Sequence, residues 1–394
     1  MRKADNPPGP AGQSSVEFLI VGGGIMGLWA AVHAERLGIK TLLVDSARLG
    51  SGASGGLLGA LMPHMPDKWS EKKQFQFDAL VALEGDIAAL EAATGLSAGY
   101  RRSGRLIPLP KPHLRKIALG HSQDAETHWH HGERRFHWQV LDAAPVDGWI
   151  DPVAGESGFV FDALAARVAP RALVKTLVAF LGEAEHVRLV EGMEIESIDP
   201  DGGVATTREG SIHFGRCILS AGHRSFPILD GLTPGRHSTL GQPVKGQAAL
   251  LKADIDAGLP VIFRDGLYIV PHEGGRVAVG STSENRFGDP ASTDGQLDDL
   301  LAAARTMAPV LADAEVVERW AGLRPKAIDR DPMVGAHPDH PRLIALTGGF
   351  KVSFGLAHRL AEVAVREAAE IPCSFKLPQG FALSNHIVAA SHKT

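Results

Sequence analysis

Cysteine is nearly missing from this chain: Cys217 and Cys373 are the only two in 394 residues. Neither belongs to a C-x-x-C pair, so a disulfide framework is excluded and a reducing cytoplasm is the compartment such a sequence suits. An excess of one charge is missing too. Lys and Arg number 40 against 45 Asp and Glu, a net charge of −5, which leaves no broad basic surface for nucleic acid. No run of about 18 apolar residues occurs, so nothing reads as an integral membrane helix. Residues 1–15 hold Arg2, Lys3, three prolines and two glycines but no apolar core; this reads as a mobile tail and not a signal peptide. Tyrosine is rare, with Tyr100 and Tyr268 the only two. What remains, 44% hydrophobic and 22% charged, is enough for a large core and for two domains.

Glycine, by contrast, is placed with purpose. The apolar run 18–21 suits a buried parallel strand, and Gly22, Gly24 and Gly27 follow it in the spacing G-x-G-x-x-G. Gly22 allows a tight turn, Gly24 lets backbone approach a pyrophosphate, and Gly27 lets the following helix pack on the strand with its N–H groups facing the phosphates. Leu37 and Gly38 end that helix. Asp45 ends the next strand about 20 residues beyond the glycines, where a carboxylate accepts from ribose hydroxyls. Strand, glycines, helix and acid together read as a dinucleotide site.

Small residues dominate 46–64, including Gly52, Ala53, Ser54, Gly59 and Ala60, and let backbone lie flush against a flat ligand. Apolar spacing predicts helices over 75–93, 170–181 and 297–307. Residues 108–139 read as loop-rich. His128, Trp129, His130 and His131 there lack a cysteine or acidic partner at ligand spacing, so no metal site is assigned and a solvated loop is expected. Residues 187–198 with the turn 199–203 mark a hairpin. The strand 216–219 ends in Ser220, Ala221 and Gly222. Strands at 248–251, 267–270 and 277–280 form a separate antiparallel sheet. The strand 343–346, Gly348, Gly349 and a helix to about 369 repeat the strand, glycine, helix order, and such a helix can point its positive end at a group that becomes anionic. The tail from 371 carries no signal.

Five ordered signals now resemble one family, the D-amino-acid oxidase superfamily of FAD-dependent amine oxidoreductases, nearest its glycine oxidase and sarcosine oxidase branches. They are the fingerprint with Asp45; residues 52–61; Ser220 to Gly222; Gly266, Leu267, Tyr268, Ile269, Val270 and Pro271 with residues 279–282; and Ala321, Gly322, Leu323, Arg324 and Pro325 with Gly348, Gly349, Phe350 and Lys351. The resemblance implies an α/β (mixed α+β) fold in which a Rossmann-like FAD-binding domain (16–62, 153–232 and 318–370) interleaves with an antiparallel-sheet substrate domain (63–152 and 233–317), leaving tails at 1–15 and 371–394.

Carried over by residue, Gly22, Gly24, Ile25, Met26 and Gly27 hold the pyrophosphate and Asp45 with Ser46 the adenosine ribose. Ile195 touches adenine through its backbone. Ala53, Ser54, Gly59 and Ala60 line the flavin side, with Gly222 beside it, and Gly349, Phe350, Lys351, Val352, Ser353, Phe354 and Gly355 line the isoalloxazine ring. Arg324 matches the arginine that clamps the substrate carboxylate; an ion pair with Asp329 or Asp331 is its structural alternative. A bidentate guanidinium fixes direction and so aims the substrate Cα–H at flavin N5. Tyr268 either hydrogen-bonds substrate or packs. A cation near the flavin favours charge developing on O₂, and Lys245, Lys351 and His64 are the candidates. Asp45 stands where most members have glutamate. No cysteine falls where some sarcosine oxidases attach the cofactor, so FAD is expected to be non-covalent.

The activity this implies is oxidation of the C–N bond of a small primary or secondary amino acid, glycine, a D-amino acid or an N-alkyl glycine. Hydride passes to N5, the imine is hydrolysed to an oxo acid plus amine, and O₂ becomes hydrogen peroxide. Three alternatives stand beside it: a dehydrogenase passing electrons to a quinone or partner subunit, an oxidase acting on a modified tRNA nucleoside, which residues 52–63 also resemble, and a flavoprotein without amine oxidation of its own. The oligomeric state is not readable.

Overall fold

The computed structural model describes residues 13–392. The apolar run at 18–21 lies in a longer strand, Gln13–Val21, near the middle of an eight-stranded sheet. Thr41–Asp45 and Gly210–Leu219 flank it in parallel. Val187–Glu191 continues the sheet beyond the first of these, and Leu343–Thr347 beyond the second, also in parallel. Strands buried on both faces need unbroken apolar runs; accordingly Leu19, Ile20, Leu42, Leu43, Ile218 and Leu343 are at most 1% exposed. The hairpin of Ser197–Asp199 with Val204–Thr207 adds to the early half of Gly210–Leu219, and Met333–Ala336 pairs antiparallel with Leu343–Thr347.

Helices cover both faces. Ile25–Arg36, Glu71–Thr94, Pro170–Gly182 and Ser353–Ala368 share one core, in which Ala30, Ala31, Ala34, Ala357, Ala361 and Ala364 allow close helix contact. Ser225–Leu232 and Leu383–His392 close the other face through Phe226, Leu229, Leu383 and Ala390.

The second sheet also has eight strands, in the order Glu315–Ala327, Gly241–Lys252, Arg276–Gly280, Leu267–His272, Val261–Arg264, Arg105–Pro108, Phe159–Asp162 and Trp138–Leu141. Its pairs are antiparallel except Val261–Arg264 with Arg105–Pro108. Alternation sorts its faces. Ile269, Val277 and Val279 pack with Leu297, Leu301 and Ala304 of the helix Gly295–Met307, while Tyr268, Val270 and Ala278 turn to the opposite side with Leu57 and Trp320.

Several expectations change. Residues 108–139 are not mostly loop: Pro112–His128 is a helix with proline in its first turn, and Trp138–Leu141 is a strand. His128 stacks on Trp69 with ring centroids 4.7 Å apart, whereas His130 and His131 are exposed as expected for that stretch. The stretch after 371 includes the helix Leu383–His392, which buries Leu383, His386 and Ala390, and is not a bare tail. Of the expected N-terminal tail, 1–12 lies outside the described residues and 13–15 is strand. Phe159–Asp162, placed by the sequence division with the FAD-binding segments, belongs to the second sheet, and Glu71–Thr94, placed with the substrate segments, packs in the core beneath the first. No helix of the described residues is long and apolar enough to cross a membrane.

Candidate active site

The glycine turn is built by close approach. Gly22 has φ +106°, and a Cβ there would stand 2.5 Å from the Ser220 carbonyl oxygen; a Cβ on Gly27 would stand 1.9 Å from the carbonyl oxygen of Gly22. Only glycine lets strand, turn and helix meet so closely. The helix Ile25–Arg36 begins with Gly24 as N-cap, with no side-chain cap and no acidic residue in its first turn, so its positive end is not neutralised from within. The Ile25 N–H donates to Ser54 Oγ (2.9 Å). Asp45 accepts from the N–H of Gly23 (2.8 Å) on one oxygen and of Ala47 (2.8 Å) on the other, which fixes the carboxylate and leaves each oxygen a further lone pair. Arg224 donates to Ser46 Oγ (3.3 Å).

From this cradle a cavity of about 770 Å³ runs between the two sheets. Every cofactor position expected from sequence lines it except Gly27 and Gly349. Gly27 serves the packing just described. Gly349 works the same way at the second glycine turn, where a Cβ would stand 2.4 Å from Met26 Cε. Gly59 has φ +62°, and its Cβ would fall 1.8 Å from the Val168 carbonyl oxygen. Neither cysteine lines the cavity; burial raises the Cys217 thiol to about 12.

Arg324, Tyr268, Lys351 and His64 all line the same cavity. Arg324, on Glu315–Ala327, is half-buried and donates Nη1 to the carbonyl of Thr282 (3.1 Å). Burial pushes its pKa down to about 10, against the opposing influence of Tyr268 and Glu284. Its alternative partner Asp331 pairs instead with Lys72. Burial raises the Tyr268 phenol, while the charges of Arg105 and Arg324 oppose the rise. Burial, then Arg324 and Arg330, lowers Lys351, whose Nζ lies 5.6 Å from the centroid of the Phe350 ring. His64 is lowered by burial and by Lys73, and its backbone N–H donates to Gln76 Oε1 (2.7 Å).

Lys245 corrects the sequence reading. It does not line the cavity; it is 2% exposed, with Nζ 3.7 Å from Glu284 and 4.0 Å from Asp294. The cause is strand alternation: Val244, Gly246 and Ala248 face the Arg324 side, so Lys245 and Gln247 turn away. Sequence reasoning missed Gly246, Trp320, Phe263 and Arg105. A Cβ on Gly246 would stand 1.9 Å from Arg324 Nη1, and Trp320, Phe263 and Arg105 line the cavity. The glycine pair Gly246 and Gly322, opposite each other in register, is the one signal the sequence offered.

Residues 17–363 match the FAD dependent oxidoreductase (DAO) family, and the chain belongs to it. The glycine oxidase of Pseudomonas aeruginosa is 30% identical over 87% of this chain and 92% of that protein. A bifunctional ThiO/ThiG protein of Synechocystis is 28% identical over 85% of this chain and 49% of that protein. Among solved structures, glycine oxidase from Geobacillus kaustophilus superposes with a TM-score of 0.82, covering 94% of this chain and 98% of that one at 21% identity, a likeness of fold. The resemblance read from the motifs therefore holds: this is an FAD-dependent oxidoreductase, and the glycine cradle with its unneutralised helix end suits the cofactor's pyrophosphate.

Proposed function

We propose that the chain oxidises the C–N bond of a small primary or secondary amino acid, and that O₂ is the final acceptor. The observation that carries this is Arg324, a guanidinium fixed on the second sheet and facing the cavity that begins at the glycine cradle. When bound, FAD supplies a two-electron acceptor for the hydride leaving the substrate Cα, so that an imine forms and water releases an oxo acid and the amine.

The chain's own residues do the rest. Gly22, Gly24, Ile25 and Met26 hold the pyrophosphate, with Gly27 packing the helix against the turn, Asp45 and Ser46 hold the ribose, and the Ile195 backbone the adenine. Ala53, Ser54, Gly59, Ala60 and Gly222 border the flavin, and residues 350–355 its ring, with Gly349 packed behind them against Met26. No cysteine lines the cavity, which supports non-covalent attachment. Arg324 clamps the substrate carboxylate bidentately and so orients Cα, positioning worth orders of magnitude in rate. Tyr268, kept neutral by burial, donates its hydroxyl to the substrate. Lys351 remains as the cation on the acceptor side, while burial and Lys73 lower His64 and favour its neutral form. The FAD-binding segments are 16–62, 153–232 and 318–370, less Phe159–Asp162 and the part of Glu315–Ala327 that pair in the second sheet and with Glu71–Thr94 added to their core; the near absence of cysteine supports a cytoplasmic location.

An anaerobic titration of the FAD-loaded protein tests the reading. Glycine, sarcosine, D-alanine, D-proline and a dicarboxylic opine are added singly while the flavin band is followed, and bleaching by at least one of them is expected. A protein that carries FAD and is bleached by no amino acid overturns it. Reoxidation by O₂ compared with a dye then tests the acceptor.

A further inference from the structure

The cavity contains a second guanidinium that the reaction as described does not use. Arg105 opens the strand Arg105–Pro108, is 2% exposed and lines the cavity beside Phe263 and Tyr268. Its Nη2 donates to Asp162 (2.6 Å), a fully buried carboxylate that also accepts from the N–H groups of Leu164 (2.9 Å) and Ala165 (3.2 Å). Asp162 is thereby satisfied, but Arg105 is not. Its Nε is buried without a partner, and among the described residues its Nη1 donates to no acceptor. Arg167 shows the contrast at the terminal nitrogens: its Nε is likewise buried without a partner, but it delivers Nη1 to the carbonyl of Gly99 and Nη2 to that of Ala257 and stands outside the cavity.

The two arginines bracket Tyr268. In the second sheet the strand of Arg324 lies to one side of Leu267–His272 and that of Arg105 to the other, with Val261–Arg264 between. Arg105 Cζ is 5.8 Å from the Phe263 ring centroid, and that ring is 4.7 Å from the ring of Tyr268. Both charges act on the Tyr268 phenol. Nε is sealed from solvent and so from a ligand, which leaves the unpaired Nη1 edge of the guanidinium to meet a carboxylate.

We propose that Arg105 is a second anion-recognition arm of this cavity and that the substrate is an amino acid with a second carboxylate, one seated on Arg324 and the distal one on Arg105. This rests on the amino-acid reading above. It adds a selectivity that reading lacks, because a site built around an acceptor rejects analogues that lack it.

Ligands that cannot be oxidised separate the two ideas. The FAD-loaded protein is titrated with two matched pairs, diglycolate with methoxyacetate and glutarate with butyrate, and Kd is read from the perturbed flavin spectrum. In at least one pair the dicarboxylate binds tenfold or more tighter, as a hydrogen bond to a charged group predicts. Arg105→Lys retains a charge for Asp162 and loses the fork, and there the preference shrinks at least fivefold. A preference below threefold in both pairs, or one that survives unchanged in R105K, overturns the proposal. The wild-type comparison decides even if R105K does not retain FAD. Failure of every amino acid to bleach the flavin overturns the amino-acid reading alone, since these affinities need no oxidation.

Discussion

The guanidinium of Arg324 lies directly over Gly246: a Cβ built on that glycine would stand 1.9 Å from Nη1, 2.1 Å from Cζ and 2.2 Å from Nη2. The clamp therefore occupies the space a side chain would need on the neighbouring strand. Gly246→Ala should push the guanidinium aside without touching the nucleotide cradle. The expected result is a fall in kcat/KM of about tenfold or more with FAD absorbance retained. Steady-state kinetics on the FAD-loaded variant check it.

Removing the clamp itself goes further. Arg324→Ala should lower kcat/KM at least tenfold, flavin still bound. The clamp also has a pH signature. Burial holds Arg324 at about 10, and only the protonated form attracts a carboxylate. The log of kcat/KM should therefore fall with rising pH above about 10, since this profile reports the free enzyme. A profile flat to pH 11 would place the guanidinium at its ordinary value and leave its role to be decided by Arg324→Ala.

Gly27→Ala addresses the cofactor instead. The added methyl would stand 1.9 Å from the Gly22 carbonyl oxygen and 2.6 Å from Ser220 Oγ, which forces the helix off the strand. Loss of visible flavin from the purified variant is expected, and the spectrum of the protein as isolated is the measurement.

Acid should destabilise the folded chain through buried histidines. Burial lowers His33 and His272 to about 4, with Glu362 opposing the shift at the first and Arg167 adding to it at the second. An unfolded histidine titrates near 6.5, so between these values the unfolded chain binds protons that the folded chain refuses. The stability is complete above pH ~6.5 and is lost as pH falls toward 4, by at most ~1.4 kcal/mol per pH unit for each group. Tm should drop between pH 6.5 and 4.5, and His33→Gln should flatten that slope.

What could be read from the sequence was what lies close together along it. The first strand, its glycines and Asp45 form one continuous stretch, and hydrogen bonds such as Gly23 N–H to Asp45 close within it. Arg324 was reached by motif. Arg105 was not, because its meaning depends on Asp162, 57 residues away, and on a strand order that local pattern does not reveal. Lys245 was misplaced because the strand Gly241–Lys252 is apolar on both faces along 248–251, so the alternation that turns Lys245 away was hidden. The helix Pro112–His128 escaped for a related reason: it buries only Ala118 and Ala125, while Ile117 is 52% and Leu119 50% exposed. No apolar stripe marks such a helix.

The order of strands along the chain carries a last consequence. Strands of the first sheet come from 13–45, 187–219 and 333–347, and those of the second from 105–162 and 241–327, so the backbone passes from one to the other four times. Any single break between 46 and 332 divides the first sheet's strands between two fragments. Neither fragment keeps the whole first sheet, so a protein nicked in a surface loop should stay whole until denatured, and neither half should fold when expressed by itself.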